Sequence, residues 1–142
     1  MSASQSVDAT APSGPCLDGR DDDALVARWR ELLDRHARTT GALEKVLQER
    51  HQLGVSEFEV LERLAGCDRE QNRMQALADT VHLSQSALSR LIGRLEADGL
   101  VSRSMCSDDR RGIFACLTPA GRERYEAARP TQRQLLAELL ND

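Results

Sequence analysis

Apolar positions in this chain recur mainly at helical spacing, and where the rhythm changes the sequence supplies a stop, a cap or a turn. From about residue 23 to 52, Leu25, Trp29, Leu32, His36, Leu43, Val46 and Leu47 describe one long amphipathic helix. Asp21, Asp22 and Asp23 stand where it begins, and the helix dipole favours negative charge there. Gly54 is expected to end it. Ser56 and Glu59 then form a capping box for the next helix, with Val60, Leu61 and Leu64 on its buried face and Gly66 at its close. Beyond a polar connection at 68–73, Met74, Leu77, Ala78 and Val81 form a short third helix. His82 and Leu83 make a tight turn to Ser84, a good N-cap, and Leu88, Leu91, Ile92 and Leu95 fall at i, i+3, i+4 and i+7, a narrow inward stripe.

Gly99 stops this fourth helix, and the period then shortens. Residues 100–105 and 113–117 predict two strands joined by a polar turn; in the second, Ile113, Ala115 and Leu117 share one face while Phe114 and Cys116 share the other. Thr118 and Pro119 suit the N-cap and first position of a further helix. Pro130 is expected to break or kink it, leaving a last piece over 131–140 that carries Leu135, Leu136, Leu139 and Leu140. Residues 1–22, rich in Ser, Ala, Pro, Gly and Asp, predict a disordered tail, so the domain is expected over 23–142.

Composition narrows the class. A chain of 142 residues, 40% hydrophobic but only 3% aromatic, builds one core from Leu, Ala and Val, which suits helix packing better than a sandwich or barrel. No apolar run is long enough to span a bilayer and no charged-then-apolar leader is present, so a soluble cytoplasmic protein with no membrane partner is expected. Cys16, Cys67, Cys106 and Cys116 form no Cys-x-x-Cys pair, and His36, His51 and His82 are scattered, so neither a metal nor another cofactor is expected. The sequence also lacks a Gly-rich phosphate loop and a nucleophile–base motif, which argues against an enzyme.

Charge changes the picture through its placement. The net charge is −4, yet residues 84–124 carry seven arginines against five acids, leaving −6 for the rest. Within that stretch the outward positions of the fourth helix are Ser84, Gln85, Ser86, Ser89, Arg90 and Arg94. Short hydroxyls bond phosphates or bases at close approach, Gln pairs bidentately with adenine and Arg with guanine. Alone, such a face suits any solvated helix; its position after a short helix and tight turn, and before a hairpin, points to major-groove recognition. The polar turn Ser107-Asp108-Asp109-Arg110-Arg111-Gly112 brings paired arginines to a projecting tip, where a narrow minor groove would attract them. Asp109 is placed to orient Arg111 by an ion pair.

These stretches, with Leu117-Thr118-Pro119-Ala120-Gly121 behind them, resemble the MarR family of winged-helix transcriptional regulators over about residues 23–140. The resemblance implies a mainly α fold: a winged helix-turn-helix with a two-stranded β wing, a DNA-binding lobe over about 56–118, and dimerisation helices at about 23–52 and 119–140. It implies base recognition by Ser84, Gln85, Ser86, Ser89 and Arg90 and wing roles for Asp109 and Arg111, in a homodimer on palindromic operator DNA that represses until a small molecule or an oxidant releases it. The family typically ends in two helices that interlock with the partner's first helix; with the chain reaching only Asp142, the second is expected to be short or absent.

Alternatives stay open at this level. A winged helix can serve as a protein–protein module without DNA, against which Arg90 and the Arg110–Arg111 tip argue. For an effector, Trp29 and His36, with Arg28 and Arg35 beside them, offer an aromatic and cationic lining; a core or dimer anchor is the more common use of such a Trp29. The long first helix itself packs either on a partner subunit or across its own domain. For redox sensing, Cys16 lies loosely where some family members carry a sensing cysteine, although Tyr125 is the sole tyrosine to support it. Cys106 lies between Arg103 and Arg110, whose charge lowers a thiol pKa; either thiol could instead be a spectator.

Overall fold

The computed structural model describes residues 19–66, 74–105 and 113–141. They form helices α1 (Gly19–His51), α2 (Val55–Gly66), α3 (Met74–Thr80) and α4 (Gln85–Ala97), strands β1 (Val101–Met105) and β2 (Ile113–Leu117), and helix α5 (Pro119–Leu140). Two compact units share this chain, one ending at His36 and the other beginning at Ala37.

Helix α1 begins at Gly19, so residues 19–22, expected in the tail, are helical. Asp21 and Asp22 lie inside its first turn, where they face the positive end of the helix dipole. The expected stop at Gly54 is also displaced. Helix α1 ends at His51, and Gln52 takes the left-handed conformation at φ 52°. A non-glycine residue there costs about 1–2 kcal/mol. The turn it makes drives Leu53 fully into the core, a gain of about 1.5–3 kcal/mol, so burial outweighs the backbone cost.

The cap of α2 lies two residues upstream of the Ser56–Glu59 pair expected for it. Gly54 N–H donates to Glu57 Oε1 at 3.3 Å, and Val55 N–H donates to Glu44 Oε2 at 2.9 Å. Glu44 reaches across from α1, so a tertiary contact supplies the second acceptor, and Ser56 is left exposed in the first turn.

The core of the second unit joins Leu43, Leu47 and Leu53 to Phe58, Val60, Leu61 and Leu64 of α2, Leu77 and Ala78 of α3, and the inward stripe of α4. Leu100, Val101 and Ala115 extend it under the hairpin, and Ala128 ties in α5. The strands are antiparallel, with Val101 opposite Leu117 and Met105 opposite Ile113. Leu100, expected in the first strand, instead closes α4, its N–H donating to Leu95 O at 2.9 Å. Gly99 makes that reversal at φ 75°, as its placement predicts. Phe114 and Ala115 are both buried, so β2 has cover on both faces rather than one.

Thr118 caps α5 as expected: its hydroxyl accepts from Gly121 N–H at 3.0 Å and donates to Gly99 O at 2.7 Å. The expected break at Pro130 does not occur, and α5 is one helix through Leu140. Pro130 is exposed, while Ala128 and Gln132 on either side are buried. Packing on both sides of the proline thus holds the helix together across the hydrogen bond that proline cannot donate.

Candidate nucleic-acid interface

Helix α3, a turn and helix α4 form the helix-turn-helix. The turn is closed by Val81 N–H to Leu77 O and Leu83 N–H to Ala78 O, both 3.0 Å. His82 between them is left-handed at φ 59°. Periodicity gave no sign of this, because glycine or asparagine is the usual occupant of such a position.

Ser84 caps α4 with φ −67° and ψ 158°, its Oγ accepting from Ala87 N–H at 3.2 Å and lying 3.3 Å from Ser86 Oγ. Leu88, Leu91, Ile92 and Leu95 are buried on the inner side. Those four side chains fix the rotation of the helix about its axis, which in turn decides what faces outward. Ser84, Gln85, Ser86, Ser89, Arg90 and Arg94 are all exposed, so all six expected base- and phosphate-contacting positions on α4 share the solvent side. Their guanidiniums, amide and hydroxyls are the groups that read base edges or grip phosphate.

The remaining candidates divide by location. Asp109, Arg110, Arg111 and Cys106 fall in sequence between β1 and β2, and Cys16 near the start of the chain; all five lie outside the described residues. Trp29 and His36 lie in the first unit, both exposed, Trp29 at 60%, which excludes Trp29 as a core anchor. Among the described residues no group of three or more His, Cys, Asp or Glu side chains is arranged to hold a metal ion. Nor is any helix there long and apolar enough to cross a membrane.

Arg103 was not singled out from sequence as a site residue. On β1 it shares a face with Val101, opposite Ala115 of β2. Its Nη2 donates to the Ser89 carbonyl at 2.8 Å and its Nε pairs with Glu96 at 2.7 Å, so one guanidinium spans two turns of α4. The signal was its phase: in a strand, residues two apart share a face, and Val101 is buried.

A second polar cluster joins α2 to α5. Glu62 Oε1 accepts from the Tyr125 hydroxyl at 3.1 Å and from the Arg133 guanidinium, and Arg133 Nη1 donates to Gln132 Oε1 at 2.6 Å. Phe58 packs against Tyr125 with ring centroids 5.6 Å apart. Burial, then the neighbouring charge of Glu62, pushes the Glu59 carboxyl above the usual range. Burial and the Glu62 charge likewise raise the Tyr125 phenol. Nearby, His51 Nε2 lies 2.8 Å from Thr131 Oγ1, and burial followed by the Arg50 charge lowers its imidazole.

The sequence model described as MarR family matches residues 54–113, from the start of α2 to the start of β2. Among solved structures, the chain is similar to AbsC, a MarR family transcriptional regulator from Streptomyces coelicolor, at 32% identity over 87% of this chain and 80% of that one, with a TM-score of 0.73. It is similar also to Sco3205 of the same organism, a MarR family transcriptional regulator in complex with DNA, at 27% identity over 92% and 79% of the two chains and a TM-score of 0.79. CouR from Rhodococcus jostii RHA1, bound to p-coumaroyl-CoA, matches at 28% identity over 75% and 74%, with a TM-score of 0.65.

Proposed function

This chain belongs to the MarR family of transcriptional regulators, and we propose that it reads a duplex operator through the outward face of α4. The observation that carries this is the sorting of α4 into two sides: four fully or almost fully buried aliphatic residues, and opposite them six exposed polar residues of the types that bind bases and phosphates. The protein–protein alternative needs an apolar centre on this face, and the face has none. The bound DNA of Sco3205 supports the same assignment.

In this proposal Ser84, Gln85, Ser86 and Ser89 lie closest to the groove floor, being short or flexible and on the first turns of α4, while Arg90 and Arg94 take bases or phosphates further along. Asp109, Arg110 and Arg111 extend the contact from the wing. The chain acts as a homodimer of cytoplasmic protein on an inverted repeat and represses by occupying it; binding is its whole chemistry, with no turnover. Release follows a small-molecule effector, for which the p-coumaroyl-CoA bound by CouR is a parallel and Trp29 and His36 are the proposed contacts; oxidation at Cys16 or Cys106 is the second route.

The test is selection of duplexes from a random library by the purified chain, followed by footprinting and titration over a range of salt. Enrichment of an inverted repeat, with affinity that falls steeply as salt rises, is expected. Failure to enrich any duplex would overturn the proposal.

A further inference from the structure

We infer that Arg103 is a positioning residue that locks the β hairpin to α4 and thereby sets how strongly operator is preferred over other DNA. This rests on the DNA-binding proposal above and adds a role for a residue that reads no base itself. The guanidinium is spent on the protein: Nη2 on the Ser89 carbonyl and Nε on Glu96. Ser89 belongs to the proposed reading face and Glu96 stands two turns on, so the two contacts fix both the rotation and the tilt of α4 against β1. Gly93 lies between them on the helix, and a Cβ there would come no nearer than 3.8 Å to Arg103 Nη2, which leaves the fork an open path to the backbone.

The chemistry requires arginine. Its planar fork reaches a carboxylate and a carbonyl at once, whereas a lysine ammonium is a point charge. The pair is partly exposed, 32% and 37% for the two side chains, so its electrostatic contribution to folding is small. Its value is geometric. A base-reading side chain must hold position to within a fraction of an ångström, and Ser89, whose carbonyl Arg103 holds, is one of the proposed readers. Non-specific binding, which needs only positive charge near phosphate, is indifferent to that precision.

The test is a charge-neutral double variant, Arg103→Met with Glu96→Gln, beside Glu96→Gln alone. Each is titrated with the duplex enriched by the wild-type chain and with a scrambled duplex of equal length, and folding is checked by thermal unfolding. The double variant should lose about tenfold in operator affinity, keep its affinity for scrambled DNA, and keep the wild-type salt slope. Glu96→Gln, which unfetters the guanidinium and adds net positive charge, should lower the operator-to-scrambled ratio even though total DNA affinity does not fall. If Arg103 instead contacts phosphate, the double variant weakens on both duplexes together and its salt slope drops by about 0.9, which overturns the inference. An unchanged ratio in both variants also overturns it. A wild-type chain that enriches no duplex removes the DNA-binding proposal itself, a result separable from either of these.

Discussion

At the scale of single residues, exposure separates side chains that serve recognition from those that serve stability. Arg90 projects from α4 with its neighbours Leu91 and Ile92 buried behind it. Arg90→Ala should therefore leave the free energy of unfolding within about 0.5 kcal/mol of wild type, as surface changes usually do, while operator binding weakens by about 1–3 kcal/mol. Anisotropy titration alongside thermal unfolding checks both halves, and a variant that binds equally well would mean the helix docks on another face. Glu59 is the converse case. Half-buried on α2 and close to Glu62, it holds its proton more tightly in the folded chain than in the unfolded one. A carboxyl raised in this way contributes its stability at acid pH and loses it as pH rises through the folded value. Glu59→Gln keeps the neutral form at every pH, so urea unfolding should show it more stable than wild type at pH 7, with the gain vanishing towards pH 3. An equal gain at both pH values would instead attribute the effect to packing.

At the scale of elements, the joins between neighbours carried more information than composition did. Gly121 in the first turn of α5 lies so close to the strand entry that a Cβ would overlap the Leu100 carbonyl and press on Leu117. Gly121→Ala should accordingly destabilise the fold by about 1–3 kcal/mol in urea unfolding, despite the better helix propensity of alanine. Gly93→Ala, whose Cβ would meet only Arg103 Nη2 at 3.8 Å, an ordinary contact, should gain up to about 1 kcal/mol. Stabilisation by both, or by neither, would show that close approach does not decide the sign. The same contrast explains what could be read in advance. Ser84, the aliphatic stripe of α4, Gly99 and the Thr118–Pro119 start act through neighbours within a few residues, so local sequence reveals them. The α2 cap could not be read that way, because Glu44 comes from eleven positions upstream. Gln52 and Pro130 also misled, for a shared reason: burial of Leu53 in one case, and of Ala128 and Gln132 in the other, overrides a local backbone preference. Arg103 was hidden because its partners, on α4, exist only once the hairpin has folded back.

At the scale of the whole molecule, one helix in one groove is too little to select a site in a genome, and the proposed homodimer supplies the second. In that proposal the first unit supplies the contact. Leu25, Val26, Trp29, Leu32 and Leu33 are 43–62% exposed, and their spacing of four, seven and eight residues gathers them on one side of α1. An apolar stripe of that kind on a helix marks a protein contact more often than a solvated face. Trp29→Glu with Leu32→Glu places two charges in the stripe without touching the core of the second unit, which contains neither residue. By light scattering the variant should have the mass of one chain where wild type has that of two. Its footprint should shrink as well: wild type should protect two half-sites centred one helical turn, about 10 base pairs, apart, and the variant should keep only weak binding that does not distinguish operator from scrambled DNA. A variant that retains the double mass would place the dimer contact elsewhere on the chain. Loss of mass with undiminished operator selectivity would mean that a single α4 suffices, which the small number of base contacts available to one such helix argues against.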